Sequence, residues 1–251
     1  MNTSVSPKLD DQAVGLRKMF TSDRPHIHVF ACPTRPSAVL PLAQMFALDL
    51  ASKGRRVLWV DEIDFPDREG WPLPAQVPFD LQHALDGDVS LDKAVVPVNS
   101  HFWYALARRK SSASSVTLSQ RLARSGVEFD IAIVSARCKP EDSYLHYKPD
   151  VKMTLLAGVK ATPLSRTLAW VQNVYLSTGV EVARVAFVGG ASSGSGAQLW
   201  QDMRAQLLPA GQAQEPPVSL IPDLPAKTSL AALWSKQTLF LEQLQRDIWN
   251  N

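Results

Sequence analysis

Hydrophobic positions in this chain come in short, nearly unbroken runs separated by longer stretches of mixed character. "HIHVFAC" (His26–Cys32), "RVLWV" (Arg56–Val60) and "FDIAIVS" (Phe129–Ser135) are three such runs, and Lys152–Ala157 and Ala183–Gly189 are two more. A strand with one wet face alternates apolar and polar residues. A strand covered on both faces reads as a continuous apolar run, as these do. The stretches between them carry apolar residues at helical spacing. Helices are predicted over Ser37–Ser52, with Lys53-Gly54 as a stop, and over Leu118–Ser125, Pro163–Thr178, Gln198–Leu208 and Ser229–Trp249. Shorter helical pieces are expected at Leu81–Leu85 and Leu91–Val95, either side of "DGD". Phe65–Pro78 is rich in proline and reads as loop, and Pro209–Pro225 reads as a connection. Ahead of the first strand, residues 10–21 read as a short helix with Ala13, Leu16 and Phe20 on one face, preceded by a polar stretch.

Buried strands alternating with helices predict an α/β fold: a mostly parallel sheet, doubly wound into a three-layer sandwich. Three parts are expected. Residues 1–24 form an N-terminal segment and 25–208 the α/β domain; 209–251 hold a proline-rich connection and a C-terminal amphipathic helix. In sheets of this kind ligands bind at the carboxyl ends of the strands. The turns after Cys32, Val60, Val134, Ala157 and Val188 are therefore the places to look for chemistry.

Composition narrows the choice of function. The chain has 251 residues with 26 Lys plus Arg against 24 Asp plus Glu, a net charge of +2. That balance gives no argument for nucleic acid or an anionic membrane, and "ARRK" (Ala107–Lys110) reads as a solvated face. Two distant cysteines, Cys32 and Cys138, exclude a disulfide framework and match no metal spacing. No apolar run approaches the roughly 20 residues that span a bilayer, and the polar N-terminus shows no secretory signal. A cytoplasmic protein is expected.

The order strand, helix, "KGRRVLWVDE", "FDIAIV" resembles the MinD/ParA group of P-loop ATPases. The resemblance implies a P-loop NTPase-like, MinD-like fold with a nucleotide site after the first strand. There a Gly-rich loop with lysines cradles phosphate, and a Ser or Thr holds Mg²⁺. In this chain the loop is "CPTRPSAVLP", without glycine or lysine, and Pro33, Pro36 and Pro41 remove donors and fix φ. Arg35 stands near the lost lysine and Ser37 near the lost Thr. Asp61 matches the first acidic residue after the second strand. Ser135 stands where the group places an Asp, and Gly189 where it commonly has an adenine-reading Asn. Joint loss of three parts of one site leads us to expect a degenerate nucleotide site. Binding of ATP and Mg²⁺ would be lost, with no catalytic residues or metal site of the chain's own. Plainer readings cover the rest. Asp61 and Glu62 can cap the next helix. "GGASSGSG" lacks Lys and reads as a flexible connection, Cys138 has no His placed beside it, and His26 and His28 alternate on a strand as structural residues.

Asp11, Gln12, Ala13, Leu16 and Arg17 make up "DQAVGLR" directly before the first strand. A complete Asp-Gln-Ala-x-x-Leu-Arg motif in this position is similar to one branch of the MinD group, FlhG (also called FleN or YlxH), which regulates flagellar number and placement. "FDLQHALDGDVSLDKAVV" (Phe79–Val96) and "LLAGVKATPLSRTLAWVQNVY" extend the resemblance over most of the chain. It implies a pseudo-ATPase that binds and stimulates FlhF, a GTPase of the signal-recognition-particle type. Gln12 would help order the attacking water on the partner, and Leu16 and Arg17 would be docking contacts. Flagellar switch proteins or a flagellar transcription regulator are further implied partners, and the cell pole or inner membrane a place of recruitment. Two alternatives stay open: a working MinD-type ATPase with an atypical loop, and a MinD-like scaffold of another cell-surface assembly system. The terminal helix carries an apolar stripe, Leu230, Leu233, Trp234, Leu241, Leu244, Ile248 and Trp249. Its charges cancel, so it is expected to pack on the domain or on a partner, with membrane contact at most peripheral.

Overall fold

The structure is a computed structural model, described over residues 24–63, 77–108, 118–125, 127–137, 151–158, 161–178, 180, 182–188, 198, 218–221 and 240–246. The N-terminal motif, Cys138, Gly189 and "GGASSGSG" lie outside these residues.

Every long apolar run is a strand: β1 (His26–Ala31), β2 (Val57–Asp61), β5 (Ile131–Ser135), β6 (Val151–Gly158) and β7 (Val182–Val188). β2 and β5 are buried at every position, as a two-sided strand requires. The sheet order is β3-β4-β2-β5-β1-β6-β7-β8, with β3 (Val95–Asn99), β4 (Phe102–Leu106) and β8 (Val218–Ile221) completing eight described strands. All pairings are parallel except β3 with β4.

Helices follow the strands: α1 (Val39–Ser52), α2 (Leu81–Asp86), α3 (Leu91–Ala94), α4 (Leu118–Arg124) and α5 (Ala161–Thr178). α1 is buried almost all round, from Val39 to Ala51, which makes it a central helix rather than a surface one. It stops where the sequence says it should. Gly54 adopts φ 77°, its N–H bonds the Ala51 carbonyl, and the Arg55 N–H reaches back to Leu50. This closes the helix with a left-handed residue that only glycine adopts cheaply.

Two apolar clusters fill the two faces of the sheet. One gathers Leu58, Val60, Val134 and Leu155 under α4 and α5. The other gathers Phe30, Trp59, Ile133 and Leu156 under α1, and it includes Phe240, Leu241 and Leu244. The described part of the C-terminal helix, 240–246, therefore docks on the domain. Lys53 Nζ donates to Gln245 Oε1 at 2.9 Å, the Gln245 amide donates to Asp49, and an Arg184 Nη–H donates to Gln243 Oε1 at 3.4 Å. None of the described helices is long and apolar enough to cross a membrane.

The sequence reading needs three corrections. Val95 is not the end of a helix but the start of β3, and β3–β4 form a hairpin that hydropathy did not reveal. Its strand carries Pro97, which an edge position tolerates. Val218–Ile221, read as part of a connection, pairs with β7 as the edge strand β8. Asp61 does not follow β2 but is its last residue.

Candidate functional site

Chain order reverses around β1: β5 and β2 lie on one side, β6 and β7 on the other. Crevices at the carboxyl ends of such neighbouring strands are where open α/β sheets hold ligands. The residues there come from the turns after β1, β2, β4 and β5.

After β1 the chain makes a turn at Pro33-Thr34 and a single 3₁₀ turn, Pro36–Ala38, before entering α1. Arg35 is exposed, with φ −150° and ψ 76°. The Ala38 N–H donates to the Arg35 carbonyl at 2.9 Å, and the Val39 N–H reaches the carbonyls of Pro36 and Ser37. A helix normally offers four unpaired N–H groups at its start. Of those of α1, Val39's is taken and Pro41 has none. The side chains at this end, Ala38, Val39 and Leu40, are buried. Ser37 is half-buried and Cys32 is buried, its Sγ 4.0 Å from Thr34 Oγ1. Burial pushes the Cys32 thiol above its ordinary range, which keeps it protonated and a poor nucleophile.

Asp61 and Ser135 are register partners on β2 and β5, so the structure does bring these two predicted positions side by side. Both are buried. Each carboxylate oxygen of Asp61 accepts a protein donor: Oδ1 from the Ile63 N–H at 2.8 Å, Oδ2 from the Tyr104 hydroxyl at 2.9 Å. Ser135 Oγ accepts from the Trp59 indole N–H at 2.8 Å. Trp59 and Tyr104 are themselves register partners and meet edge to face.

Beyond the strand ends, Glu62 and Arg137 tie three loops together. The Arg137 N–H donates to Glu62 Oε2 at 3.0 Å, and its Nε–H donates to the Glu62 carbonyl at 2.8 Å. A terminal guanidinium N–H reaches the Ala107 carbonyl after β4. The backbone adds Ala107 N–H to the Asp61 carbonyl at 2.9 Å and Ala136 N–H to the Phe30 carbonyl at 2.9 Å. Asp61 and Glu62 thus hold neighbouring loops and side chains, and the next described helix, α2, takes its cap from Asp80.

His28 is buried in mid-sheet, as its structural reading predicts, with Nε2 3.0 Å from Thr154 Oγ1 and its ring against Phe30 and Phe46. Burial, with Lys152 and Arg184 nearby, lowers its pKa from 6.5 to about 3. Among the described residues no group of three or more His, Cys, Asp or Glu could hold a metal.

Sequence reasoning missed Trp59, Tyr104 and Arg137. The first two carried a usable signal. A Trp or Tyr inside a two-sided strand must find a partner for its N–H or O–H, and the partners lie on adjacent strands.

Neither a protein-family model nor a curated protein matches the chain. Solved structures do. A plasmid partition protein of Borrelia burgdorferi bound to AMPPNP is similar at 10% identity and TM-score 0.61, over 88% of this chain and 99% of that one. Cobyrinic acid a,c-diamide synthase of Mycobacterium smegmatis with bound ADP and magnesium is similar at 17% identity and TM-score 0.56, over 88% and 94%. The cell division ATPase MinD of Pyrococcus furiosus is similar at 15% identity and TM-score 0.55, over 87% and 99%. At these identities the likeness is one of fold. The chain has the α/β P-loop NTPase fold of the ParA/MinD proteins.

Proposed function

We propose that this chain is an FlhG-like regulator of flagellar number and placement, itself a pseudo-ATPase, which binds FlhF through its N-terminal segment and stimulates GTP hydrolysis there. The observation that carries the reading is the complete Asp11-Gln12-Ala13…Leu16-Arg17 motif, placed directly ahead of the first strand of a ParA/MinD-type sheet.

The geometry of the carboxyl edge supports the pseudo-ATPase half. The residues present do not fit a magnesium nucleotide. The loop after β1 has no lysine and no glycine, the Ala38 and Val39 N–H groups are taken by carbonyls of the preceding turn, and Pro41 has none to offer. A phosphate cradle needs several N–H groups converging on one point. Asp61 and Ser135, two of the positions matched to the nucleotide site, are engaged by Tyr104, Ile63 and Trp59. Arg137 and Glu62 tie the ends of β2, β4 and β5 to one another.

On the partner, the work falls to the N-terminal segment. On this reading Asp11, Ala13, Leu16 and Arg17 are contacts that dock the segment on the partner. Gln12 projects toward the GTP γ-phosphate and holds the attacking water in line. Phosphoryl transfer is catalysed mainly by positioning and electrostatics, and each ~1.4 kcal/mol gained is tenfold in rate. No ATP-dependent dimerisation is expected, since the lysine that reaches across MinD-type dimers is absent.

The nucleotide-bound neighbours favour one second reading, a working ATPase with an atypical loop. Two measurements separate the readings. Calorimetric titration with ATP and Mg²⁺ should give no binding at millimolar nucleotide, and micromolar affinity would overturn the pseudo-ATPase half. The purified chain should also retain the FlhF of its own cell in a pull-down, and failure to do so would overturn the other half.

A further inference from the structure

The described part of the C-terminal helix, 240–246, is pinned at two places. On one side Gln245 is held by Asp49 and Lys53 of α1, which also pair with each other at 3.1 Å. On the other, Gln243 Oε1 accepts from Arg184 of β7 at 3.4 Å. α1 packs over β2 and β5, and the sheet runs β2-β5-β1-β6-β7. A helix pinned at α1 and at β7 therefore roofs β1 and β6. Phe240, Leu241 and Leu244 fill this roof as members of the α1-side cluster.

Beneath the roof lies a polar strip. His28, Thr154 and Arg184 stand two residues before Phe30, Leu156 and Ala186 of that cluster, so they share its face of the sheet. Lys152 is the register partner of His28, and Arg184 that of Thr154, so the ring has a cation on β6 and another on β7. From β5 its register partner is the apolar Ile133, and from α1 it meets Phe46. Asp49 and Lys53 on α1 are engaged with each other and with Gln245. The helix's own Glu242 and Arg246 are exposed on its outer side. Among the described residues, then, His28 sits between two cations with no carboxylate paired to it.

The elements around His28 differ in how firmly they are held. β1 is laddered to a strand on each side, and α1 is buried almost all round. The described roof rests on three apolar side chains and two glutamines. Lifting it is the smallest opening that brings water to the ring.

We propose that segment 240–246 is an acid-released latch: it opens as His28 takes up a proton, and opening bares a cationic strip of His28, Lys152 and Arg184. With the latch closed, burial and the two cations hold His28 at about 3; with it open, the ring returns toward 6.5. The open state therefore binds the proton more tightly, and acid favours it. The gain approaches tenfold per pH unit below 6.5, and between pH 7.5 and 5 it reaches about 30-fold.

The test is amide hydrogen exchange on the full chain at pH 7.5 and 5, with each rate corrected for the intrinsic effect of pH. In wild type, protection of the Leu244–Arg246 amides should fall by roughly 10- to 30-fold at pH 5. At both pH values it should stay below that of β2 and β5, which marks a local opening. In His28→Gln the helix should keep the same protection at both pH values. Gln245→Ala, which removes one pin, should lower protection at both pH values and leave their ratio as in wild type. Flat wild-type protection overturns the inference without any variant. An equal fall in His28→Gln overturns it too, as does helix protection equal to that of β2 at pH 5, which would mean that only the whole domain opens.

Discussion

Lowering the pH from 8 to 5 should destabilise this fold through one residue, His28. The ring lies in mid-sheet with Nε2 on Thr154 Oγ1 at 3.0 Å and Nδ1 without a partner among the described residues. Phe30 and Phe46 surround it, with centroids 4.9 and 5.6 Å away. Charging it there would put a cation into an apolar layer beside Lys152 and Arg184, so its pKa falls from 6.5 to about 3. The unfolded chain binds the proton at 6.5 and the folded chain resists it. The penalty is absent above pH 6.5, grows as pH falls, and saturates near 3. The whole shift corresponds to about 5 kcal/mol, and the part reached at pH 5 to about 2 kcal/mol, at ~1.4 kcal/mol per unit. The assay is urea denaturation of wild type and His28→Gln at pH 8, 7, 6 and 5. Other groups titrate in both proteins, so the difference between them isolates His28. Stability lost between pH 8 and 5 should be about 2 kcal/mol larger in wild type. Parallel pH profiles would refute the argument.

Tyr104→Phe removes the hydroxyl that Asp61 Oδ2 accepts from and leaves a buried carboxylate short of a donor. A loss of about 2 kcal/mol is expected, read as a lower urea midpoint at constant slope. Leu244→Ala should cost about 2–5 kcal/mol, since Leu244 is fully buried in the cluster shared with α1. A change within ~0.5 kcal/mol would mean that the terminal helix is not part of the core. Arg35→Lys should not create ATP affinity in a calorimetric titration, because one charge does not rebuild converging backbone donors.

Much of the fold was legible because buried strands announce themselves. Continuous apolar runs gave β1, β2, β5, β6 and β7, and Lys53-Gly54 marked the end of α1 at a residue that does adopt positive φ. What hydropathy missed lies at the edges of the sheet. β3 and β8 are short, and β3 contains a proline, because an edge strand need not satisfy the two-sided rule. At the site, the sequence pointed to Asp61, Ser135 and the loop around Arg35 and Ser37, and the fold brings Asp61 and Ser135 into register. It could not show what occupies them. Trp59 meets Ser135 from β2, and Tyr104 meets Asp61 from a strand that hydropathy did not reveal. Arg137 reaches across three loops by contacts distant in sequence.

The central claim is that Gln12 acts in trans on a partner GTPase. The direct measurement is the rate of GTP hydrolysis by FlhF at saturating amounts of the full-length chain, wild type against Gln12→Ala. The account predicts that wild type raises turnover, and that Gln12→Ala removes most of the rise while binding FlhF with nearly the same affinity. Equal stimulation by both proteins would contradict it.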